Sequence, residues 1–397
     1  MSRILIFRRG NFCYNSLNVF SQCLASSLEK LGYSVVFFDV HKEGTIDLEE
    51  VSVVREYDFD AAIAFNAGGQ HNTCLPDGRN LFDAYEIPFF NYIVDHPLAH
   101  HGNMTSTCSN YYVICVDGEH KEYVDRHYPR VKEAFFLPLA GLGDDDYLID
   151  SFEDYKRRPF QLGFTGSFDD FRVLDEEISG YPTLLQKIIN AQIDILLSER
   201  NLGIEQSLTL ALDSMNLLKD TDISFEQYAV STRIVNRWIK AYIREEAIRY
   251  LAAGRVPIHI WGSGWEKMRD LPNDSLIVHP AVAYESLPEI CQNTQICFNN
   301  MPWFKQGMHD RVPTAMLAGA MVLSDSSRYV DRLINEYGEV VCLYDISQLS
   351  ELPGLVNDLI KSPEKCYEIA THGKNIATEC FTWNDVARKF AQIVDGL

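Results

Sequence analysis

The 397-residue sequence lacks any run of about 18 apolar residues, so no transmembrane helix is expected. Its first ten residues predict a short strand followed by charges, whereas a signal peptide places charges before a longer apolar run. The ten cysteines lack the paired spacing of a disulfide framework, and some, such as Cys115 and Cys297, fall inside apolar segments. These absences predict reduced thiols and a cytoplasmic protein.

Basic residues are also scarce. The sequence has 35 Lys and Arg residues against 56 Asp and Glu residues, a formal net charge of −21. This surplus of negative charge argues against a nucleic-acid or anionic-membrane partner. No Asp-x-Asp metal motif stands in a convincing context, because the acids at 144–146 and 169–170 are typical of loops and helix caps. An anionic ligand would need a local cluster of cations.

Short apolar runs alternate with helical patterns along most of the chain, which predicts an α/β fold with parallel sheets covered on both faces. The predicted strands are 3–7, 34–40, 61–65, 89–94, 112–116 and 134–137, then 160–164, 257–261, 275–279, 296–298, 321–323 and 340–343. An acidic, turn-rich segment at 140–156 separates the two sets. We therefore predict two Rossmann-like domains, 1–156 and 157–397, with a helical insert at about 175–253.

The segment 301–325 is the most informative part of the sequence. A proline is tolerated only in the first turn of a helix, so Pro313 predicts a short helix that begins near residues 310–312. The helix should end at Ala318 and Gly319 and lead into a buried strand. This is a loop–helix–strand unit at the end of a parallel strand.

Three basic side chains precede or open this helix. Lys305, His309 and Arg311 would lie beside the free N–H groups of its first turn, which together form a candidate anion site. The alternative is an ordinary connection in which Asp310 is only the N-cap residue. The sequence pattern alone does not decide between the two.

The same segment resembles the donor-site signature of the CgeB-like (spore-maturation type) bacterial glycosyltransferases of the GT-B superfamily. The matching residues are His309-Asp310-Arg311, Ala315-Met316-Leu317-Ala318-Gly319 and Leu323-Ser324-Asp325, with Pro302 to Lys305 and Ile258 to Trp265 upstream. The resemblance covers the second half of the chain, and the first 150 residues match only in architecture.

The resemblance implies a GT-B fold whose two Rossmann-like domains face each other across a cleft. It implies transfer of a hexosyl or N-acetylhexosaminyl group from a nucleotide-diphosphate sugar, expected to be UDP-linked, to a protein or glycan acceptor. Neither a metal nor another cofactor is expected. Many relatives place a ribose-binding carboxylate where this chain has Thr314, whose hydroxyl can still form a hydrogen bond. A non-catalytic scaffold protein and a nucleotide-sugar epimerase of the same fold remain alternatives.

On the donor side, the resemblance implies that Lys305, His309 and Arg311 neutralise the diphosphate leaving group without a metal. The turn of Gly262, Ser263 and Gly264 follows a strand and would let a ligand approach the backbone, although turns often use glycine. Tyr284 follows the next strand, where it could stack on the donor base or simply pack.

On the acceptor side, Asp95 and His96 directly follow the strand 89–94. Either could be the general base that takes a proton from the acceptor hydroxyl. A structural turn is an equal alternative. A metal site at His96 and His100 is weaker, because Pro97 disfavours a helix through both and no third ligand is spaced to join them. The loops at 10–11 and 66–70 also end strands and are further candidates to line this side.

Overall fold

A computed structural model describes residues 2–9, 13–40, 48–143, 151–219, 223–268 and 274–397. The chain forms two compact units. The first comprises Met1–Ala140, Ala283–Glu285 and Cys380–Leu397, and the second comprises Gly141–Val282 and Ser286–Glu379. The first break falls at 140, where the sequence placed the boundary at 156, and the last helix groups with the first unit.

Twelve strands occur in the described residues. They are β1 (Arg3–Arg9), β2 (Ser34–Val40), β3 (Ala61–Phe65), β4 (Phe89–Ile93), β5 (Tyr111–Cys115), β6 (Glu133–Phe136), β7 (Phe160–Thr165), β8 (Ile258–Trp261), β9 (Leu276–His279), β10 (Thr294–Phe298), β11 (Met321–Ser324) and β12 (Cys342–Leu343). Each strand begins and ends within two residues of the bounds predicted from the sequence.

The described helices are α1 (Ser16–Lys30), α2 (Leu48–Glu56), α3 (Leu81–Ala84), α4 (His101–Met104), α5 (Gly118–His127), α6 (Phe152–Lys156), α7 (Phe171–Ser179), α8 (Thr183–Ser198), α9 (Ile204–Ser214), α10 (Phe225–Ser231), α11 (Ile234–Ala253), α12 (Leu287–Gln292), α13 (Arg311–Leu317), α14 (Arg328–Tyr337), α15 (Leu352–Ile360), α16 (Pro363–Cys380) and α17 (Trp383–Asp395). The three longest of the described helices, α8, α11 and α16, lie mainly in the second unit. Among all the described helices, none is long and apolar enough to cross a membrane.

Each unit contains one six-stranded parallel sheet. The strand order is β2-β1-β3-β4-β5-β6 in the first unit and β12-β11-β10-β7-β8-β9 in the second. Every residue of β3, β4 and β5 is buried. Continuous apolar strands of this kind require cover on both faces, which is why their sequence pattern predicted parallel sheets.

The last helix belongs to the core of the first unit. Thr382 and Asp385 form a capping box that fixes the start of α17. The ring of Trp383 lies 5.6 Å from that of Phe20, and the ring of Phe390 lies 5.2 Å from that of Phe90. Apolar periodicity predicted this helix but could not show which sheet it covers.

In the described residues, the predicted helical insert is a group of five helices, α7 to α11. The longest, α11, buries Ala247, Ile248 and Leu251 completely in the core of the second unit. Helix α11 is therefore an integral layer of this unit and not a peripheral addition. Its residue Arg244 reaches the loop at the carboxyl end of β7.

Two loops of the second unit pack backbone against backbone at the carboxyl ends of β7 and β8. The N–H of Gly166 donates to the carbonyl of Trp261 (2.9 Å), and the N–H of Phe168 donates to that of Ser263 (2.9 Å). A Cβ atom on Gly262 would lie 2.1 Å from the carbonyl oxygen of Gly166. Only glycine fits at this position.

A histidine is fully buried in the first unit. His71 has no exposed surface, and its ring stacks on Tyr111 with centroids 4.5 Å apart. Burial lowers the pKa of His71 to about 4, although the backbone of Asn103 acts in the opposite direction. His71 is therefore neutral in the native protein near neutral pH.

We predict that Gly262→Ala lowers the free energy of unfolding by roughly 1–3 kcal/mol, the usual cost of overpacking. The new methyl group would meet backbone atoms that cannot rotate away. Gly354→Ala in α15 is the matched control, because its Cβ would have no heavy atom within 4 Å. The control should be unchanged or slightly more stable. Urea denaturation measures the free energy of unfolding of both variants. If Gly262→Ala is as stable as Gly354→Ala, the two loops can separate at little cost and the prediction is wrong.

We also predict that native stability falls as the pH falls from 6.5 to 4, in part through His71. The pKa of His71 is lower in the native state than in the unfolded chain, so protons bind the unfolded state first. The contribution of His71 to the free energy of unfolding is complete above pH 6.5. Roughly 3 kcal/mol of it is lost once the pH reaches about 4. His71→Gln should flatten this pH dependence. The difference between the two free energies of unfolding at pH 7 gives the cost of the substitution itself. If the variant keeps the wild-type dependence of stability on pH, the prediction is wrong.

Candidate functional site

The 301–325 segment lies at the point where the sheet of the second unit changes direction. The chain adds β8 and β9 on one side of β7 and then returns with β10 on the other. The loops after β7 and β10 therefore diverge, and such a point is where parallel sheets usually bind ligands. Helix α13 starts at Arg311, within the predicted range.

Arg311 bridges this point. Its Nη1 donates to the carbonyl of Thr165 at the end of β7 (2.7 Å), and its Nη2 donates to the carbonyl of Asn300 after β10 (3.1 Å). The guanidinium also lies 5.2 Å from the ring centre of Phe164. A Cβ on Gly166 would come within 3.0 Å of Nη1, so this glycine leaves room for the arginine. The backbone thus fixes a cation between two strand ends.

His309 and Asp310 form a close pair beside Arg311. The Nδ1 atom of His309 lies 2.8 Å from Oδ1 of Asp310 and 3.3 Å from the backbone nitrogen and Nε of Arg311. Both of these Arg311 groups donate to Nδ1 of His309. Burial lowers the pKa of His309, followed by repulsion from Arg311, while Asp310 acts in the opposite direction. His309 is therefore neutral near pH 7.

Thr314 and Asp310 are engaged within the protein. Asp310 occupies the N-cap position of α13, but its side chain makes no capping hydrogen bond. The hydroxyl of Thr314 donates to the carbonyl of Asp310 (2.7 Å) and accepts from the N–H of Leu142 (2.9 Å). Only 1% of Thr314 is exposed. The hydroxyl is thus engaged within the protein, and its predicted contact with a donor ribose stays a prediction.

Lys305 secures the loop that precedes α13. Its Nζ donates to the carbonyl of Arg200 (2.8 Å), and its own carbonyl accepts from the N–H of Arg328 (2.9 Å). The hydroxyl of Ser327 donates to the carbonyl of Gly307 (2.6 Å). The loop is thus tied to the start of α14. The amine of Lys305 is directed at a backbone carbonyl, and its predicted contact with a diphosphate remains a prediction.

The predicted turn at Gly262, Ser263 and Gly264 has a packing role. Gly262 and Gly264 permit the close approach of the loop after β7, and Gly264 has a φ of +88°. Ser263 is exposed, and its hydroxyl lies 3.4 Å from that of Ser167. The plain-turn alternative therefore explains both glycines, while Ser263 stays a candidate contact.

Sequence reasoning missed Arg244 on α11. Three successive carbonyls, at residues 165 to 167, accept hydrogen bonds from side chains that are distant in sequence. Thr165 accepts from Arg311, Gly166 from Nε1 of Trp265 (2.7 Å) and Ser167 from Nη1 of Arg244 (2.8 Å). We call residues 165–167 the carbonyl turn. No local pattern marks Arg244, because its partner lies 77 residues away.

Helix α11 also contacts the loop before α13. The Nζ of Lys240 lies 4.6 Å from the ring centre of Trp303, and the guanidinium of Arg244 lies 5.7 Å from it. These two cations are one helical turn apart. Their four-residue spacing puts both on one face of α11, but spacing alone does not identify what that face contacts.

In the first unit, Asp95 lies at the carboxyl edge of the sheet. The side-chain oxygen of Asn66, a residue with a φ of +48°, accepts from the N–H of Val94 (2.9 Å), and its amide donates to Oδ2 of Asp95 (3.4 Å). The Nε2 atom of His100 lies 3.9 Å from the same Oδ2. Asp95 keeps 44% of its side chain exposed. It is thus an oriented and accessible carboxylate.

His96 differs from Asp95. Its Nδ1 accepts from the N–H of Leu98 (3.2 Å) and so caps the turn that follows. Its ring is 6% exposed and lies 4.8 Å from His120 and 5.1 Å from Tyr123. The structural-turn alternative therefore accounts for His96. The metal alternative gains no support, because the described residues contain no group of three or more metal-binding side chains.

Tyr284 packs within the first unit. It is 7% exposed, and its ring meets that of Phe20 edge to face at 5.2 Å. The packing alternative accounts for this contact, and stacking on a donor base stays a prediction. The candidate loop at 10–11 and the acidic residues 144–146 lie outside the described residues.

Comparison with protein families gives one match. Residues 240–392 match a family model described as glycosyl transferase-like. These residues include Arg244, the loop after β10 and the whole of α13. A search of curated proteins found no significant match.

Solved structures match over the full chain. The HepE protein of Anabaena in complex with UDP-glucose aligns with a TM-score of 0.59 at 12% identity, covering 100% of both chains. Sucrose-phosphate synthase from Thermosynechococcus elongatus aligns with a TM-score of 0.57 at 10% identity, covering 100% of this chain and 99% of that one.

A third structure, of the DNA modifying enzyme β-glucosyltransferase, aligns with a TM-score of 0.56 at 10% identity and covers 100% of both chains. At these identities the likeness shows the fold alone. The CgeB-like subfamily stays a prediction. The chain has the GT-B fold of glycosyltransferases, and its residues 240–392 match the glycosyl transferase-like family.

Proposed function

We propose that this protein transfers a sugar from a nucleoside-diphosphate donor, UDP-linked, to an acceptor hydroxyl. The observation that carries the proposal is the position of Arg311, which the backbone holds between the ends of β7 and β10. This residue lies in the segment that matches the glycosyl transferase-like family. The solved neighbours include one in complex with UDP-glucose and one described with uridine diphosphoglucose as its substrate.

On the donor side, Arg311 would stabilise the leaving group. When the bond between the sugar and the phosphate oxygen breaks, negative charge grows on the nucleoside diphosphate. A guanidinium held in advance by Thr165 and Asn300 can receive that charge without reorganising. Neutral His309, beside Asp310, would add a polar contact rather than a full charge. We propose no metal in this step.

On the acceptor side, we propose Asp95 as the general base. Its carboxylate is exposed and oriented by the amide of Asn66. It would take the proton of the acceptor hydroxyl while the hydroxyl oxygen bonds to the sugar carbon. His100, at 3.9 Å, is a positioning residue for this carboxylate. His96 is left out of the step because its Nδ1 caps a turn.

We expect a UDP-sugar at a hundredfold excess over its Kd to raise the free energy of unfolding by about 2.7 kcal/mol, measured by thermal unfolding. Arg311→Lys should weaken this binding by about tenfold, because lysine keeps the charge but loses the planar fork.

Turnover should survive excess EDTA. Loss of activity that Mn²⁺ restores would refute the metal-free step. An epimerised free sugar, or binding without turnover, would favour the epimerase or the scaffold alternative.

We predict that Asp95→Asn lowers kcat by about 10²-fold with little change in donor affinity, because only the proton acceptor is lost. His100→Gln should lower kcat less and alter the pH profile. Asp77→Asn is the control, an exposed first-unit carboxylate that pairs with Arg79. If Asp95→Asn behaves like this control, Asp95 is not the base.

A further inference from the structure

Arg244 lies near Arg311 at the carboxyl end of β7, where both bind the carbonyl turn. Its Nη1 binds the carbonyl of Ser167, two residues beyond the carbonyl that binds Arg311. The centre of its guanidinium lies 5.7 Å from the ring centre of Phe164, and that of Arg311 lies 5.2 Å from the same ring. Two guanidiniums therefore border one buried aromatic ring.

This arrangement is electrostatically unfavourable by itself. Burial lowers the pKa of Arg244 to about 9, and repulsion from Arg311 acts in the same direction. Asp169 acts in the opposite direction, but its carboxylate already binds Arg237 at 2.6 Å. Among the described residues, Arg244 forms no ion pair, and its buried Nε has no hydrogen-bond partner. A chain with a net charge of −21 thus places two cations beside the same buried ring.

We propose that Arg244 is a second ligand of the donor diphosphate, so that helix α11 of the helical insert completes the donor site. The proposal rests on the proposed function. A sugar-linked diphosphate carries two anionic phosphoryl groups, which match two neighbouring guanidiniums better than a single carboxylate would. The unpaired Nε supplies a donor for a charge-assisted hydrogen bond. A nucleoside monophosphate donor would satisfy only one of the two cations.

A purely structural role for Arg244 is the competing explanation. In that case the side chain only attaches α11 to the carbonyl turn and packs on Phe164 and Trp303. Its removal would then lower stability by the same amount with and without ligand. A role in binding instead makes the loss depend on the phosphates of the ligand. The two roles therefore differ in a measurable way.

The test compares Arg244→Gln with Arg233→Gln by calorimetric titration of the full chain. Glutamine can still donate to Ser167 but carries no charge, and the exposed Arg233 precedes the same helix. The probes are UDP and uridine. We expect Arg244→Gln to weaken UDP binding by about tenfold or more and to leave uridine binding unchanged. Arg233→Gln should change neither by more than about twofold.

Arg244→Lys covers the case in which the glutamine variant does not fold. It keeps the charge but loses the planar fork, so UDP binding should fall by less than in Arg244→Gln yet stay below wild type. Wild-type UDP affinity in either folded variant would overturn the proposal, as would an equal loss for uridine. If the wild-type protein itself binds neither UDP nor a UDP-sugar, the proposed function fails instead, and the two failures are distinct.

Discussion

The carbonyl turn, residues 165–167, is the constraint on which the candidate donor site depends. Its three carbonyls point at side chains from α13, α11 and the segment after β8, and each accepts one hydrogen bond. Carbonyl oxygens carry partial negative charge, so they can hold guanidiniums in place without neutralising them. A carboxylate in the same position would hold the arginines equally well but would cancel the charge that an anionic ligand needs.

The strands were predictable because their signal is local. A strand buried on both faces must be largely apolar, and every residue of β3, β4 and β5 is buried. The placement of α17 was not predictable, since a helical period identifies a buried face but not its partner. Tyr284 shows the same limit, because an aromatic residue in a loop has no sequence signal that separates packing from stacking.

The candidate site was predictable only where it is contiguous. Arg311, His309 and Asp310 were found together because they adjoin a proline-marked helix start. Arg244 was missed because its contact with Ser167 depends on the tertiary packing of α11. In the first unit, the pattern located Asp95 and His96 but could not rank them. The structure ranks them as candidate bases, since the side chain of Asp95 is exposed and that of His96 caps a turn.

The return of the chain to the first unit has a consequence for biosynthesis. The ring of Phe390 packs on Phe90, so two parts of one core are separated by the whole of the second unit in sequence. During translation the second unit can complete its sheet while the first still lacks a covering helix. The first unit therefore cannot complete its core before α17 has been synthesised, although domains usually mature in order from the N-terminus.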